Sequence, residues 1–418
     1  MFVMGVLWLD KDLGALDTRV ASLEVAMVDA LSELVRRPAV SPDDGGDGEH
    51  DKALFIESLV SSLGLGPVER YDSKDPRAKG GIRPNLVLRV PGTDSSAGRL
   101  WIFTHMDVVP EGDRSLWRFD PFEPHLEGGR LYGRGSNDNG QELVASLFAL
   151  KAVVESGGPR REVCLAFVAD EEVGSQHGIG FLLKEHGNLF DPSDLILVPD
   201  GGTESGDFIE VAEKTILWVE FQVEGCQVHA SRPDQGLNAC RVANELSVAL
   251  DRALRGAFPE EDPLFEPPFS TFEPTRRLAN VGNVNTIPGK EVFCLDCRVL
   301  PHVKVEDVER VFAGEVKKAQ DSFGAKISYR FLQKGEPTGA TDPSSPVVAL
   351  LSEAVEDVLK IKPRVGGIGG GTCAAFFREA KMPAVVWAQE ADTAHMPDEY
   401  AEVSHMVNEA KVFARMML

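Results

Sequence analysis

The chain reads as an α/β protein with a mainly parallel sheet, into which a second, smaller α+β domain is inserted. Three observations predict this. From residue 100 to residue 198, apolar stretches of strand length alternate with stretches of helical period, the order that builds a parallel sheet covered on both faces. After Asp200 the order becomes strand, helix, strand, strand, helix, strand, the split pattern of a ferredoxin-like sandwich. The first texture then returns, so the sheet begun before Asp200 is completed after the insertion.

Element by element, residues 22–36 and 52–64 predict two amphipathic helices joined by an acidic, glycine-rich loop, 41–51. That loop lacks the ligand spacing and closing Glu of a calcium-binding EF-hand and reads as solvated. Residues 100–109 predict a strand, 139–155 a helix with Leu143, Leu147, Leu150 and Val154 at helical spacing, 162–169 a strand, 179–186 a helix and 194–198 a strand. Residues 215–223 alternate as a half-buried strand, followed by a helix at 239–256, strands within 283–300, a helix at 305–323 and a strand at 327–332. The insertion is therefore placed at 213–330, with 1–212 and 331–418 forming the other domain. Its proline-rich stretch, 258–274, is an excursion within the insertion. The last part predicts a helix at 345–359, a glycine-rich turn at 366–371, a strand at 384–388 and a closing helix from Ser404. No internal repeat is visible.

A length of 418 residues with 43% hydrophobic content supports a real core in two domains. The formal charge of -23 and a pI near 4.8 argue against nucleic acid or an anionic membrane as partner, because no run of Lys and Arg offsets the repulsion. Met1 to Trp8 is apolar but short, has no basic leader and is followed by Asp10, Lys11 and Asp12, so no signal peptide is expected. No apolar run approaches the roughly 18 residues that cross a bilayer, and cytoplasm is the expected compartment. Six cysteines, spread from Cys164 to Cys373, suit a reducing compartment better than a disulfide framework. Cys294 and Cys297 lie in the strand-like 292–300 and are read as structural.

The chemistry lies in five short segments. In order they are Thr104-His105-Met106-Asp107, Asn137-Asp138-Asn139-Gly140, Ala169-Asp170-Glu171-Glu172, Pro199-Asp200-Gly201 and Ala394-His395-Met396. Histidines and carboxylates of this kind are ligands for a pair of divalent cations, and open α/β sheets gather ligands at the carboxyl ends of their strands. His105 and Asp107 share a face of an extended chain, so the carboxylate can orient the imidazole through its second nitrogen. Asp138 precedes a helix and, taken alone, reads as an N-cap; in this company its two oxygens could bridge two cations. Glu171 and Glu172 point to different sides, so one can bind metal while the other serves as general base. A di-metal hydrolase is the implied class.

Taken together, His-x-Asp, Gly-x-Asn-Asp-Asn, Asp-Glu-Glu, Pro-Asp-Gly-Gly and the late His-Met-Pro resemble the di-zinc amidohydrolase and exopeptidase family of aminoacylase, acetylornithine deacetylase, succinyl-diaminopimelate desuccinylase and glutamate carboxypeptidase. The resemblance implies a zinc-exopeptidase-like catalytic domain carrying a lid and dimerisation domain. It implies one cation held by His105, Asp138 and Asp200 and another by Asp138, Glu172 and His395, zinc first, with cobalt or manganese as alternatives. Glu171 is then the general base, Asp107 the support of His105, and the Asp138-Asn139 peptide cis. By the same resemblance, His229 in Val228-His-Ala-Ser231 stabilises the oxyanion, usually in the partner subunit of a homodimer. Asn285 in Asn285-Thr-Ile-Pro288 and Arg298 in Asp296-Cys-Arg298 grip a substrate carboxylate, and Trp117-Arg-Phe-Asp-Pro-Phe122 resembles the first cleft loop. Independently of the family, Arg298 offers the local cation that an acidic protein needs for an acidic substrate. Gly370, Gly371 and Thr372 align with a loop that touches the amino-acid end of substrates, although Cys373 and Ala374 stand where relatives often carry Ser or Asp. The implied substrate is a small N-acyl amino acid, in the manner of a desuccinylase or deacetylase. A dipeptidase or carboxypeptidase of the same family is the alternative, and a non-catalytic metal- or peptide-binding relative is the reading from another class. A nucleotide-binding enzyme would need G-x-G-x-x-G or Gly-Lys-Ser, and neither is present. His50, His125, His177, His186, His302 and His405 match no motif and are assigned to surface or capping roles.

Overall fold

The computed structural model describes residues 13–418, so the expectation for Met1 to Trp8 lies outside the described residues. Two compact units make up the chain. Unit one runs to Val211 and resumes at Thr341–Val365 and Thr372–Leu418; unit two is Ala212–Ala340 with Gly366–Gly371.

Unit one is built on an eight-stranded sheet. In spatial order its strands are Val68–Lys74, Ile82–Val90, Glu162–Val168, Arg99–His105, Leu195–Val198, Ala384–Val386, Phe208–Glu213 and Arg364–Ile368. Glu162–Val168, Arg99–His105, Leu195–Val198 and Ala384–Val386 run parallel to one another. Antiparallel pairs flank them on both sides. The parallel strands are apolar along nearly their whole length, as burial on both faces requires.

Several elements depart from the sequence expectation. Residues 22–36 belong to two helices, Leu13–Ser22 and Glu24–Val35, which meet at Leu23. Val68–Lys74 and Ile82–Val90 were not expected as strands. The first is an edge strand with only Ser73 buried, so it carries no apolar signal. The second contains Pro84, which lies opposite Asp72 but before the pairing with Glu162–Val168 begins at Leu86, so no ladder bond on that side is lost. Phe208–Glu213 adds a further strand beyond the expected ones, and the glycine-rich turn at 366–371 starts inside the strand Arg364–Ile368. The helix Gln141–Glu155 is buried on more than the expected face, with Val144, Ala145, Phe148 and Ala149 enclosed, because Val403–Met416 packs on it as well.

Unit two has a four-stranded antiparallel sheet in the order Thr271–Arg277, Lys290–Val299, Thr215–Glu224, Lys326–Lys334. The helices Ala239–Ala257 and Val305–Phe323 cover one face. Leu217, Val219, Phe221 and Val223 alternate inward there and share a core with Leu246, Leu250 and Phe312. The chain order is strand, helix, strand, strand, helix, strand, the split pattern expected. One strand begins at Thr271, inside the stretch read as a proline-rich loop, and within 283–300 the strands are Thr286–Ile287 and Lys290–Val299. Cys294 and Cys297 are buried free thiols on the last of these.

Candidate active site

The carboxyl ends of the parallel strands carry the chemistry. His105 closes Arg99–His105, Glu171 and Glu172 begin the single turn after Glu162–Val168, Asp200 stands two residues beyond Leu195–Val198, and His395 lies in the loop after Ala384–Val386. Asp138 comes from Ser136–Gly140, which leads into the helix Gln141–Glu155, and the Asp138-Asn139 peptide is cis. His395 adopts φ +62°, the left-handed region that a non-glycine residue seldom occupies.

These side chains meet. His105 Nε2 is 2.8 Å from Asp138 Oδ1 and 3.3 Å from Asp200 Oδ1. His395 Nε2 is 3.1 Å from Asp138 Oδ2 and 2.9 Å from Glu172 Oε2. The two oxygens of Asp138 thus face two different histidines. Ligand atoms of His105, Glu171 and Asp200 lie within 4.8 Å of one another, as do those of His105, Asp138 and Glu172.

Asp107 touches both His105 and the turn that carries the two acids. His105 Nδ1 is 3.0 Å from the backbone carbonyl of Asp107 and 3.5 Å from its carboxylate. That carboxylate also accepts the N–H groups of Glu171 (3.0 Å) and Glu172 (3.1 Å), fixing the turn that carries both acids.

Electrostatics follow from crowding acids in a buried place. Burial, then the charge of Asp200, pushes Glu171 well above the usual carboxylate range. Burial and Asp138 push Glu172 up to about 7. Burial also raises Asp138, but hydrogen bonds with His105 and His395 outweigh it and hold the carboxyl well below its ordinary value. Hydrogen bonds to Asp138 and then Glu172 lift His395 to about 10.

The donor set fits a divalent cation. A carbonyl can only accept, so His105 Nδ1 carries a proton, and a neutral ring then turns its Nε2 lone pair toward Asp138 and Asp200. Electron pairs converging in this way need a proton or a cation between them. Imidazole and carboxylate together are the ligands of zinc and its neighbours.

Residues 101–418 match peptidase family M20/M25/M40. The chain belongs to this family. An uncharacterized metallohydrolase of Methanocaldococcus jannaschii is 39% identical over 398 residues, covering 91% of this chain and 96% of the relative. A succinyl-diaminopimelate desuccinylase of Phenylobacterium zucineum is 30% identical over 407 residues, covering 94% and 98%. Among solved structures, an M20 metallo-carboxypeptidase of Sulfolobus solfataricus superposes with a TM-score of 0.72 at 21% identity, covering 94% and 98%. Human carnosine dipeptidase 1 does so with 0.69 at 17%, covering 97% and 99%. At such identities the two structures speak for the fold. As an M20 member the protein is a metal-dependent hydrolase. Among the described residues no helix is long and apolar enough to cross a membrane.

His229, Asn285, Arg298, Gly370 and Gly371 belong to unit two, and Thr372 to unit one. His229 is exposed on a short ribbon in which Val228 and His229 pair with Ile287 and Thr286. Its Nδ1 accepts the N–H of Ser231 at 3.1 Å and lies 2.8 Å from Ser231 Oγ. Asn285, also exposed, accepts the N–H of Ala230 through its carbonyl (2.8 Å) and the Asn283 amide through Oδ1 (2.6 Å). Arg298 donates Nε and Nη2 to the Asp296 carboxylate (2.7 and 3.0 Å) and Nη1 to the Gly369 carbonyl (2.8 Å), so it is anchored to its own sheet and to the glycine-rich segment. Gly370 and Gly371 follow in that segment. Thr372 opens the next stretch of unit one, where its Oγ1 accepts the N–H of Ala374 (3.2 Å).

Two supports of the site escaped the sequence reading. Glu399 is buried, accepts the N–H groups of Asn137 (3.0 Å) and Asp138 (3.1 Å) through Oε1, and takes Arg134 Nη1 on Oε2 (2.6 Å). Its signal was an acid four residues beyond His395. Arg83, fully buried, bridges Glu49 (2.7 Å through Nε) and Asp170 (3.0 Å), while Glu49 also accepts the N–H of Asp170 at 3.3 Å. Nothing in a single sequence pairs residues so far apart.

Proposed function

We propose that this M20 hydrolase cleaves the amide bond of a small N-acyl amino acid, as desuccinylases and deacetylases do, with two divalent cations as cofactor. The observation that carries the reading is Asp138, whose two oxygens face different histidines, His105 and His395. His105, Asp138 and Asp200 would hold one cation, and Asp138, Glu172 and His395 the other, zinc first and cobalt or manganese as alternatives. Bound there, they would supply Lewis acidity to the scissile carbonyl and lower the pKa of a water toward about 7.

The chain's own residues do the rest. Glu171, acting as the carboxylate, takes a proton from the attacking water and passes it to the leaving amine nitrogen. Asp107 keeps Glu171 and Glu172 in place through their N–H groups. His229 donates to the oxyanion as it develops, and Arg298 with Asn285 and the Gly370, Gly371 and Thr372 loop receives the substrate's carboxylate end. The active form is a homodimer joined through unit two, whose strand Lys326–Lys334 pairs on one side only and offers a self-complementary edge.

The desuccinylase relative favours the acyl amino acid reading. The alternative within the family is a dipeptidase or carboxypeptidase, the activities named for two solved structures that share the fold. A panel of N-succinyl amino acids, N-acetyl amino acids and dipeptides, offered to metal-loaded protein, decides between them. Preferred turnover of an N-acyl substrate supports the first reading, preferred turnover of dipeptides replaces it with the second, and no turnover of either removes both.

A further inference from the structure

Directly after Asp138 comes a side chain that this mechanism does not use. Asn139 is 2% exposed, and both ends of its amide are engaged. Its Oδ1 accepts the backbone N–H of His105 at 3.2 Å. Its Nδ2 lies 2.6 Å from the Pro199 carbonyl oxygen, 3.3 Å from Glu142 Oε2 and 3.4 Å from Asp200 Oδ1. A backbone N–H can only donate and a backbone carbonyl can only accept, so one amide orientation alone satisfies both neighbours. Of the two hydrogens on Nδ2, one goes to Pro199, and the other is shared between the carboxylates of Glu142 and Asp200.

The place of this amide in the sheet gives it a task. Arg99–His105 and Leu195–Val198 are parallel neighbours, yet their register ends at Ile102 opposite Leu197, three residues before His105. On its other side Arg99–His105 stays paired to the last residue, His105 opposite Val168. The two strand ends that carry His105 and Asp200 therefore part before they reach the site. In the gap stands Asn139, which takes the N–H of one strand end and gives an N–H to the carbonyl beyond the other. A side-chain amide has replaced the missing rung.

We infer that Asn139 is a positioning residue that sets the spacing of His105 and Asp200, and so the affinity for one cation of the pair and not for the other. The inference rests on the ligand assignment proposed above, in which His105 and Asp200 serve the same cation. Glu172 and His395 receive no bond from this amide. Glu142, fully buried on the first turn of Gln141–Glu155, helps hold Nδ2 in place and acts through Asn139.

The test is a zinc titration of metal-free protein against a competing chelator. Wild-type protein should take up two cations. Asn139→Leu, close in shape but without donor or acceptor, should weaken one of the two steps by about 10- to 100-fold, the usual cost of losing a group that orients metal ligands, and leave the other unchanged. Asn139→Ser, smaller and easier to accommodate, should weaken the same step and serves if the leucine variant does not fold. In a His395→Ala background, which would keep only the cation on His105 and Asp200, the Asn139 change should lower affinity. In an Asp200→Ala background it should have no effect. Wild-type protein that binds two cations alongside folded variants that bind both equally well would overturn the inference alone, as would equal weakening of both steps. Wild-type protein that never binds two would overturn the ligand assignment, and the inference with it.

Discussion

Glu171 and Glu172 are consecutive carboxylates given different work by their neighbours. Glu172 faces His395 at 2.9 Å, whereas burial and the charge of Asp200 leave Glu171 with a high affinity for a proton. Glu171→Gln should therefore keep both cations but lose turnover by about 10²- to 10⁴-fold, the usual contribution of a general base. His105→Ala and His395→Ala should each lose one cation of the pair. Metal analysis and kinetics on the same preparations check this, and normal turnover of the Glu171 variant would refute its role. At this scale the candidate ligands were legible, because histidines and acids at strand ends announce themselves by type and place. The second task of the Asp107 carboxylate was not, since the N–H groups of Glu171 and Glu172 reach it only through the path of a distant turn. Asn139 and Glu399 were hidden for the same reason, as they bind backbone groups of remote segments.

The turn that bears these two acids is clamped from behind. Arg83 on the strand Ile82–Val90 holds Glu49 and Asp170, and Asp170 immediately precedes Glu171. Removing one member of a buried ionic group strands the others without water, at a cost of roughly 3–5 kcal/mol. Arg83→Met should lower the unfolding free energy by about that much and reduce turnover too, as the Glu171 turn loosens; urea unfolding with assays on the folded fraction tests it. Lys52, 5% exposed on the helix His50–Leu63, gives a pH-dependent counterpart. Burial lowers its pKa to about 8, with Asp107, Glu49 and Glu399 offsetting only part of the penalty. An unfolded lysine keeps its proton to about 10.4. Between these values the unfolded chain binds more protons than the native one, so this residue's contribution to stability rises with pH across that window. The stability difference between wild type and Lys52→Met should therefore shift in favour of wild type from about pH 8 to about pH 10, and a difference independent of pH would count against it. The strand bearing Arg83 was illegible because Arg83, Pro84 and Asn85 break its apolar run; the strands that end at His105 and just before Asp200 were legible because burial on both faces had made them largely apolar.

Across the whole molecule, the return of the first sequence texture after residue 330 was enough to anticipate a sheet completed after an insertion, because strand and helix periods survive whatever separates them. Which subunit supplies which group is a matter of assembly, and it can be tested. His229 is well suited to donate: the Ser231 N–H occupies Nδ1, so a neutral ring carries its proton on Nε2. Losing such a donor costs roughly 2.7–4 kcal/mol in the transition state and should leave metal content intact. His229→Ala and Glu171→Ala proteins should each be nearly inactive. If His229 serves the cleft of a partner, a mixed dimer of the two has one cleft with both defects and one with neither. Activity should then reappear when the two inactive proteins exchange subunits, approaching half the wild-type value per mixed dimer. Exchange demonstrated by mass-labelled subunits without recovery would place His229 in its own subunit's cleft, and a fully active monomer would exclude the shared site altogether.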